Sequence, residues 1–302
     1  MAGESIASMT ECSKTPWEPA PATARTRRRQ AIFRPYRIAC AFLKRDARIE
    51  TSYKFQFAWS FTTVFFTVAT FYFISQLVKP GAGAVLRAYK GDYFSFVVVG
   101  LAISRYLDAS LRGTTTAIRQ AMTQGTLELM FASPAHPMVI LGFSGVWQIL
   151  FETVRVVFCL AVAYVGFGFQ LSKPNWLAAA AAFGLTVPAF LSVGIMSASL
   201  LILLKRGDPL NWFAVGAATL LSGVMFPIEL LPSWLQVMAW FIPLTHSLDS
   251  FRGALLLGQS VPELWASLLP LLMFSVVMLP VAALVSGAAL RRAKRSGSLG
   301  TF

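Results

Sequence analysis

Charge is scarce in this chain, and negative charge is scarcest. Of 302 residues only 13% are charged, and Asp and Glu number 13 against 26 Lys and Arg. A soluble domain carries about 25% charged residues, so a water-solvated globule is excluded. Cysteine is limited to Cys12, Cys40 and Cys159, and histidine to His136 and His246. One cysteine lies in the N-terminal tail, one in a basic segment and one in an apolar run, which leaves no basis for a disulfide framework. The two histidines are far apart and no Cys/His spacing suits a metal. No Gly-x-x-x-x-Gly-Lys-[Ser/Thr] loop occurs, so these residues have no cradle for nucleotide phosphates. The basic stretch Arg25-Thr26-Arg27-Arg28-Arg29 is followed by a second basic segment and not by the apolar run of a signal peptide. The first apolar segment is therefore expected to stay in the mature protein.

What the chain has is apolar length: 56% of its residues are hydrophobic. No charge falls within 55–78, 156–172, 174–204, 209–228 or 264–290. A hydrocarbon core about 30 Å thick is crossed by about 20 apolar residues in a helix, and backbone in lipid must satisfy its own hydrogen bonds. The expected fold is an all-α membrane protein with six transmembrane helices, near 57–78, 93–112, 138–168, 175–204, 209–228 and 264–290. With both termini cytoplasmic, 19 Lys/Arg fall inside and 5 outside, while Arg105 and Arg155 lie within spans. That asymmetry follows the positive-inside rule. It also accounts for the net charge of +13 without nucleic acid, since no soluble basic domain is present to hold one.

Residues 1–30 read as a disordered basic tail and 31–302 as a single transmembrane domain. Within 31–54, Arg34, Arg37, Lys44, Arg45 and Arg48 fall on one helical face and Ile32, Phe33, Tyr36, Cys40 and Leu43 on the other. Such a helix suits the membrane surface; the plainer alternative is a solvated linker. The stretch leading into and through 229–262 is punctuated by Pro227, Pro232 and Pro243, whose spacing leaves pieces too short to cross. They are read as re-entrant or surface-lying outer helices between spans five and six, covered by protein where they enter lipid depth. Pro270 and Pro280 are expected to kink the last span.

Two charged pairs lie inside spans, Arg105 with Asp108 and Glu152 with Arg155. A spacing of three puts each pair on one helix face. Their similar depth predicts an intramembrane network of Arg105–Glu152 and Asp108–Arg155, acting as a static clamp or as a gate, since isolated charges at that depth are costly. The span aromatics Phe65, Phe66, Phe71, Tyr72, Phe73, Trp147 and Phe151 are read as lipid-facing or packing residues before substrate contacts. Trp176, Trp212, Trp234, Trp240 and Trp265 fit interface belts. Gly142, Ser144 and Gly145 have the Gly-x-Ser look of an intramembrane protease, but no helical histidine is placed to serve as base; close helix packing is the simpler reading.

The segment 113–137 is short, partly apolar and partly charged, and is read either as a handle for a cytoplasmic partner or as an ordinary loop helix. Gly125-Thr126-Leu127-Glu128 followed by Ser133-Pro134 resembles the cytoplasmic segment of type-2 ABC-transporter permeases. Ser222-Gly223-Val224-Met225-Phe226-Pro227, Leu231-Pro232, Pro243-Leu244-Thr245-His246, Asp249 and Arg252 are similar to that family's stretch between its last two spans. The resemblance covers about residues 40–290. It implies a permease dimer, meeting along the first and fifth spans, that docks two cytoplasmic ATPase subunits through Arg119, Gly125, Thr126, Leu127, Glu128, Ser133 and Pro134. It also implies that 31–54 is the connecting helix and that 227–252 caps the exit. The expected function is that of a transmembrane subunit exporting an amphipathic or hydrophobic substrate, with ATP and Mg on a separate chain and no cofactor on this one. The expected setting is a bacterial plasma membrane with lipid as the surrounding partner. The rival readings are an ion-coupled secondary transporter using the buried pairs, which lacks the expected inverted repeat, and a membrane enzyme.

Overall fold

A computed structural model describes residues 54–78, 92–126, 137–171, 174–204 and 209–295 of the protein. All of them belong to the compact unit Phe42–Phe302. The tail 1–30, the interfacial helix 31–54 apart from its last residue, and Leu127, Glu128, Ser133, Pro134 and His136 lie outside the described residues. No strand occurs among those described. The helices are α1 (Lys54–Val78), α2 (Tyr93–Thr123), α3 (Pro137–Phe167), α4 (Trp176–Leu204), α5 (Pro209–Leu221), α6 (Ser233–Trp240), α7 (Pro243–Arg252) and α8 (Trp265–Arg295). A 3₁₀ turn at Ile228–Leu230 precedes α6, and a π-helical turn at Gly253–Leu257 follows α7.

Five helices (α1, α2, α3, α4 and α8) are long and apolar enough to cross a membrane. They match the expected spans one, two, three, four and six. Two expected boundaries are corrected. The second span does not stop at Arg112: α2 continues unbroken to Thr123. Gly113, Thr114, Thr115 and Thr116 are poor helix formers, but Gly113 packs tightly against Gln148 and the hydroxyls of Thr114 and Thr115 donate to Ser110 O and Leu111 O of the same helix, so packing carries α2 past Arg112 to its cap at Gly125. The expected fifth span, 209–228, is helical only over the 13 residues Pro209–Leu221, about 20 Å at 1.5 Å per residue. It ends where Gly223 takes a left-handed φ of 75°, a conformation that L side chains avoid, and Pro227 starts the 3₁₀ turn as its N-cap. The last span runs continuously through Pro270 and Pro280.

Helix α2 is the centre of the bundle. Of its most apolar stretch 78% is buried, against 17% for α1 and 22% for α8, so α2 faces protein while α1 and α8 face the surroundings. Phe55, Trp59, Phe66, Phe73 and Leu77 of α1 and Met273, Val276, Val277 and Leu284 of α8 are exposed. So much bare apolar surface is untenable in water and ordinary in lipid. Tyr72 instead packs edge-on against Phe94 and meets Phe167. Trp176, Trp234, Trp240 and Trp265 all lie exposed at helix ends on the side opposite the Arg291–Arg295 terminus.

In lipid, helices associate through close backbone packing and interhelical hydrogen bonds, because lipid tails are as apolar as leucine. The contacts of α2 follow that rule. Ser110 Oγ donates to Phe190 O at 2.8 Å and Thr114 Oγ1 to Gly194 O at 2.9 Å. A Cβ on Gly194 would stand 2.5 Å from Ser110 O, and one on Gly145 would stand 2.8 Å from Thr114 Cγ2. Ser144 of the Gly-x-Ser sequence donates to Leu141 O of its own helix, which leaves Gly145 as the packing residue. Overpacking of this kind costs about 1–3 kcal/mol. Gly194→Ala is therefore expected to lower the thermal midpoint in detergent, whereas Gly184→Ala and Gly216→Ala, whose added Cβ atoms meet nothing within 4 Å, leave it unchanged. Equal midpoints for all three would contradict the packing described.

Candidate functional site

Three places along α2 hold the residues singled out from the sequence. The first is its C-terminal tip. Ile118, Ala121 and Met122 are buried against the start of α3 and the ends of α4 and α8, while Arg119, Gln120 and Thr123–Thr126 are exposed. The helix stops by a Schellman motif: Thr126 N donates to Ala121 O at 2.9 Å and Gly125 N to Met122 O at 3.1 Å. Gly125 has φ 66°, the left-handed geometry this cap demands. The Gly-Thr pair picked out by resemblance is thus a helix terminator, and its local role is to stop α2 and turn the chain.

The second place is midway along the spans. Glu152 is buried, and its two carboxylate oxygens are shared between two arginines: Oε1 accepts from Arg105 Nε and Oε2 from Arg155 Nη1 at 3.1 Å. The Arg155 guanidinium lies 4.3 Å from the centroid of the Phe151 ring. The expected Arg105–Glu152 bridge is therefore present, but the expected Asp108–Arg155 bridge is not. Asp108 pairs instead with Arg112, one turn along its own helix, at 2.5 Å. The i,i+4 partner needs no second helix to be positioned, and Arg155 is already engaged one turn away by Glu152. Asp108 and Arg112 are also more exposed, 38% and 58% against 6% for Glu152, which makes theirs the weaker pair.

The third place is the corner between α5 and α8. Three of the four prolines there begin a helix: Pro227 caps the 3₁₀ turn, Pro232 caps α6 and Pro243 opens α7. Proline has its φ preset and no N–H to lose at a helix start. The end of α6 is closed by side chains of α7, with Thr245 Oγ1 donating to Ala239 O at 2.7 Å and His246 Nε2 lying 2.8 Å from Trp240 O. A carbonyl only accepts, so that ring nitrogen carries a proton. Arg252, 2% exposed, ties the corner to α2. Its guanidinium donates to Phe96 O at 3.2 Å and Val224 O at 3.0 Å and lies 3.5 Å from the centroid of the Phe96 ring. Positive-inside counting puts Arg252 among the five outer cations, and in the structure it is a buried clamp. Gly100 makes room for it, since a Cβ there would collide with Val224 O and the guanidinium. Phe96 and Gly100 carry no signal in the sequence beyond a lone glycine in an apolar run, and Val224, though part of the family-like 222–227 motif, shows no sign there of its role as acceptor.

Asp249 is half-buried beside this clamp. Burial pushes its carboxyl above the ordinary carboxylate range; Arg252 and His246 oppose the rise and Glu229 adds to it.

Among the described residues the fold is an all-helical bundle with five helices long and apolar enough to cross a membrane. Residues 43–256 match the sequence model of the ABC-2 type transporter family, and the chain belongs to that family. With its five long apolar helices it is a multi-pass membrane protein. It is also similar, at 27% identity over 188 residues, to the probable multidrug ABC transporter permease YbhR of Escherichia coli strain K12 and, to the same extent, to that of strain O157:H7. The match takes in 61% of this chain and 50% of each relative, so the chain spans about half the length of the curated relatives it matches.

Neutralising the shared carboxylate by Glu152→Gln leaves two half-buried arginines without a counter-charge, a change that costs up to about 3–5 kcal/mol. Asp108→Asn, at a half-exposed pair, is expected to cost under about 1 kcal/mol. Thermal unfolding of both variants in one detergent checks the ranking, and a larger loss for Asp108→Asn would overturn it. For Asp249 the folded-state pKa lies above the unfolded one. Its contribution is most favourable at acid pH, below the usual carboxylate value of 3.8, and is lost as pH rises through the raised pKa. Asp249→Asn should therefore stabilise the protein at neutral pH and flatten its stability–pH profile; an unaltered profile would contradict this.

Proposed function

We propose that this chain is the membrane subunit of an ATP-driven exporter that moves an amphipathic or hydrophobic substrate out of the cytoplasm. The observation that carries the reading is that α2 is one uninterrupted helix. It runs from the Arg252–Phe96 clamp at one end, past the Arg105–Glu152 bridge, to the exposed Arg119–Thr126 tip. A partner that moves the tip moves the clamp, because a packed helix responds as a unit. The tip lies on the side of Arg291, Arg292 and Arg295, which the positive-inside rule assigns to the cytoplasm.

In this reading a separate ABC ATPase grips the tip together with Leu127, Glu128, Ser133 and Pro134, and supplies the nucleotide and Mg. Two copies of the chain pair with two ATPase subunits in a bacterial plasma membrane. ATP binding draws the ATPases together, and the two α2 helices carry that movement toward the exit corner formed by Pro227, Pro232, Pro243, His246, Asp249 and Arg252. The name of the curated relatives, a probable multidrug permease, supports an amphipathic cargo. The ion-coupled alternative fits less well. A relay carboxylate must exchange protons, and both oxygens of Glu152 are held by arginines.

The test is reconstitution with a candidate ATPase in liposomes. Arg119→Glu, at an exposed position of the tip, is expected to reduce cargo-stimulated ATP hydrolysis to the basal rate while leaving the size-exclusion profile of the permease intact. Transport that persists without the ATPase and stops with a protonophore would overturn the reading in favour of ion coupling.

A further inference from the structure

Among the described residues, the ionic cluster in the middle of the spans holds more positive charge than its neighbours balance. Asp108 and Arg112 form one pair. That leaves Glu152, with at most one negative charge, between Arg105 and Arg155. Glu152 stands at the midpoint of the helix Pro137–Phe167, where an uncompensated cation costs several kcal/mol. A clamp between two helices needs one arginine for one carboxylate; the second is in excess.

Two further observations lie on the same stripe of α3. Arg155 Nε and Trp147 Nε1 are buried and have no hydrogen-bond partner among the described residues. Buried N–H groups left in this way are uncommon and call for an occupant. Trp147, Phe151 and Arg155 are spaced by four, which lines them up on one face. The indole stacks on Phe151 with centroids 6.5 Å apart and planes 10° from parallel, and the guanidinium lies 4.3 Å from the centroid of that same ring. Phe61 of α1 meets Phe151 edge-on at 6.4 Å. The cluster is also reachable: the side chains of Arg105 and Arg155 are 30% and 20% exposed.

We propose that Arg105 and Arg155, beside the Trp147–Phe151 stack, form a binding site for the single anionic group of an amphiphile. A carboxylate, sulfonate or phosphodiester would offset the excess charge and accept from Arg155 Nε, while the attached apolar body lies along the aromatic stripe. Neutral and cationic amphiphiles leave the charge excess in place and bind weakly. Taking this amphiphile as the transported cargo rests on the exporter reading; the binding itself does not. The same chemistry is offered by an anionic phospholipid headgroup and by a free amphiphile.

The experiment uses the purified full chain in phosphatidylcholine nanodiscs, without an ATPase, so that failure of the exporter reading does not affect it. Dansyl-labelled undecanoic acid and its methyl ester are titrated at mildly alkaline pH, where the acid is ionised. The acid is expected to bind at least about tenfold more tightly than the ester. Arg155→Leu, which leaves a balanced Arg105–Glu152 pair, should reduce the acid to the level of the ester. Nanodiscs containing phosphatidylglycerol separate the two sources: competition assigns the site to a lipid headgroup, and its absence to a free amphiphile. Equal affinity of the wild-type chain for acid and ester would overturn the proposal. So would undiminished acid binding by a monodisperse Arg155→Leu; if that variant aggregates, the acid-to-ester ratio of the wild type still decides.

Discussion

The backbone of α2 touches the backbones of its neighbours, and the rest of the structure follows from that contact. Where Gly194 meets Ser110 and Gly145 meets Thr114 there is no room for a side-chain carbon. The helices are held by hydroxyl-to-carbonyl bonds across that gap. In lipid no hydrophobic force drives helices together, so a central helix must be gripped by contact and hydrogen bonding alone. The buried fraction of α2 is the result, and it lets polar groups sit along the helix without meeting hydrocarbon.

Those polar groups use three different solutions to one difficulty. Arg252 spreads its charge over two backbone carbonyls and an aromatic face. Arg105 and Arg155 share a carboxylate. Arg112 takes a partner from its own helix and stays more open to its surroundings. Arginine suits all three because its charge is permanent and its planar fork presents several donors at once. The first solution is the most self-contained, and it ties the corner to the bundle; the second leaves charge over.

Much of the fold was legible before any coordinates. The apolar pattern set the starts of α2, α3, α4 and α8 to within a residue, because hydrocarbon penalises charge wherever protein does not cover it. The end of α2 was not legible in this way. Arg112 was taken as a membrane edge, but helices end where the backbone is interrupted, and the interruption is Gly125. The same reasoning explains the short α5: its run of uncharged residues extends past a glycine that turns the chain. At the ionic cluster, matching depth found Arg105–Glu152 but overlooked the local competitor Arg112. Arg252 with Phe96 was out of reach, since residues so distant in the chain are joined only by the packing of α7 on α2. Pro227, Pro232 and Pro243 were read as breaks that shape short helices, and each in fact starts one.

The uninterrupted run of α2 has a geometric consequence. At 1.5 Å per residue its 31 residues make a rod about 46 Å long. Pivoted near one end, a tilt of about 5° displaces the other by about 4 Å, most of one helical pitch. Pivoted at the clamp end, such a rotation barely shifts the Gly100–Val224 contact beside the pivot and is still enough to exchange one set of neighbours for the next at the distal end.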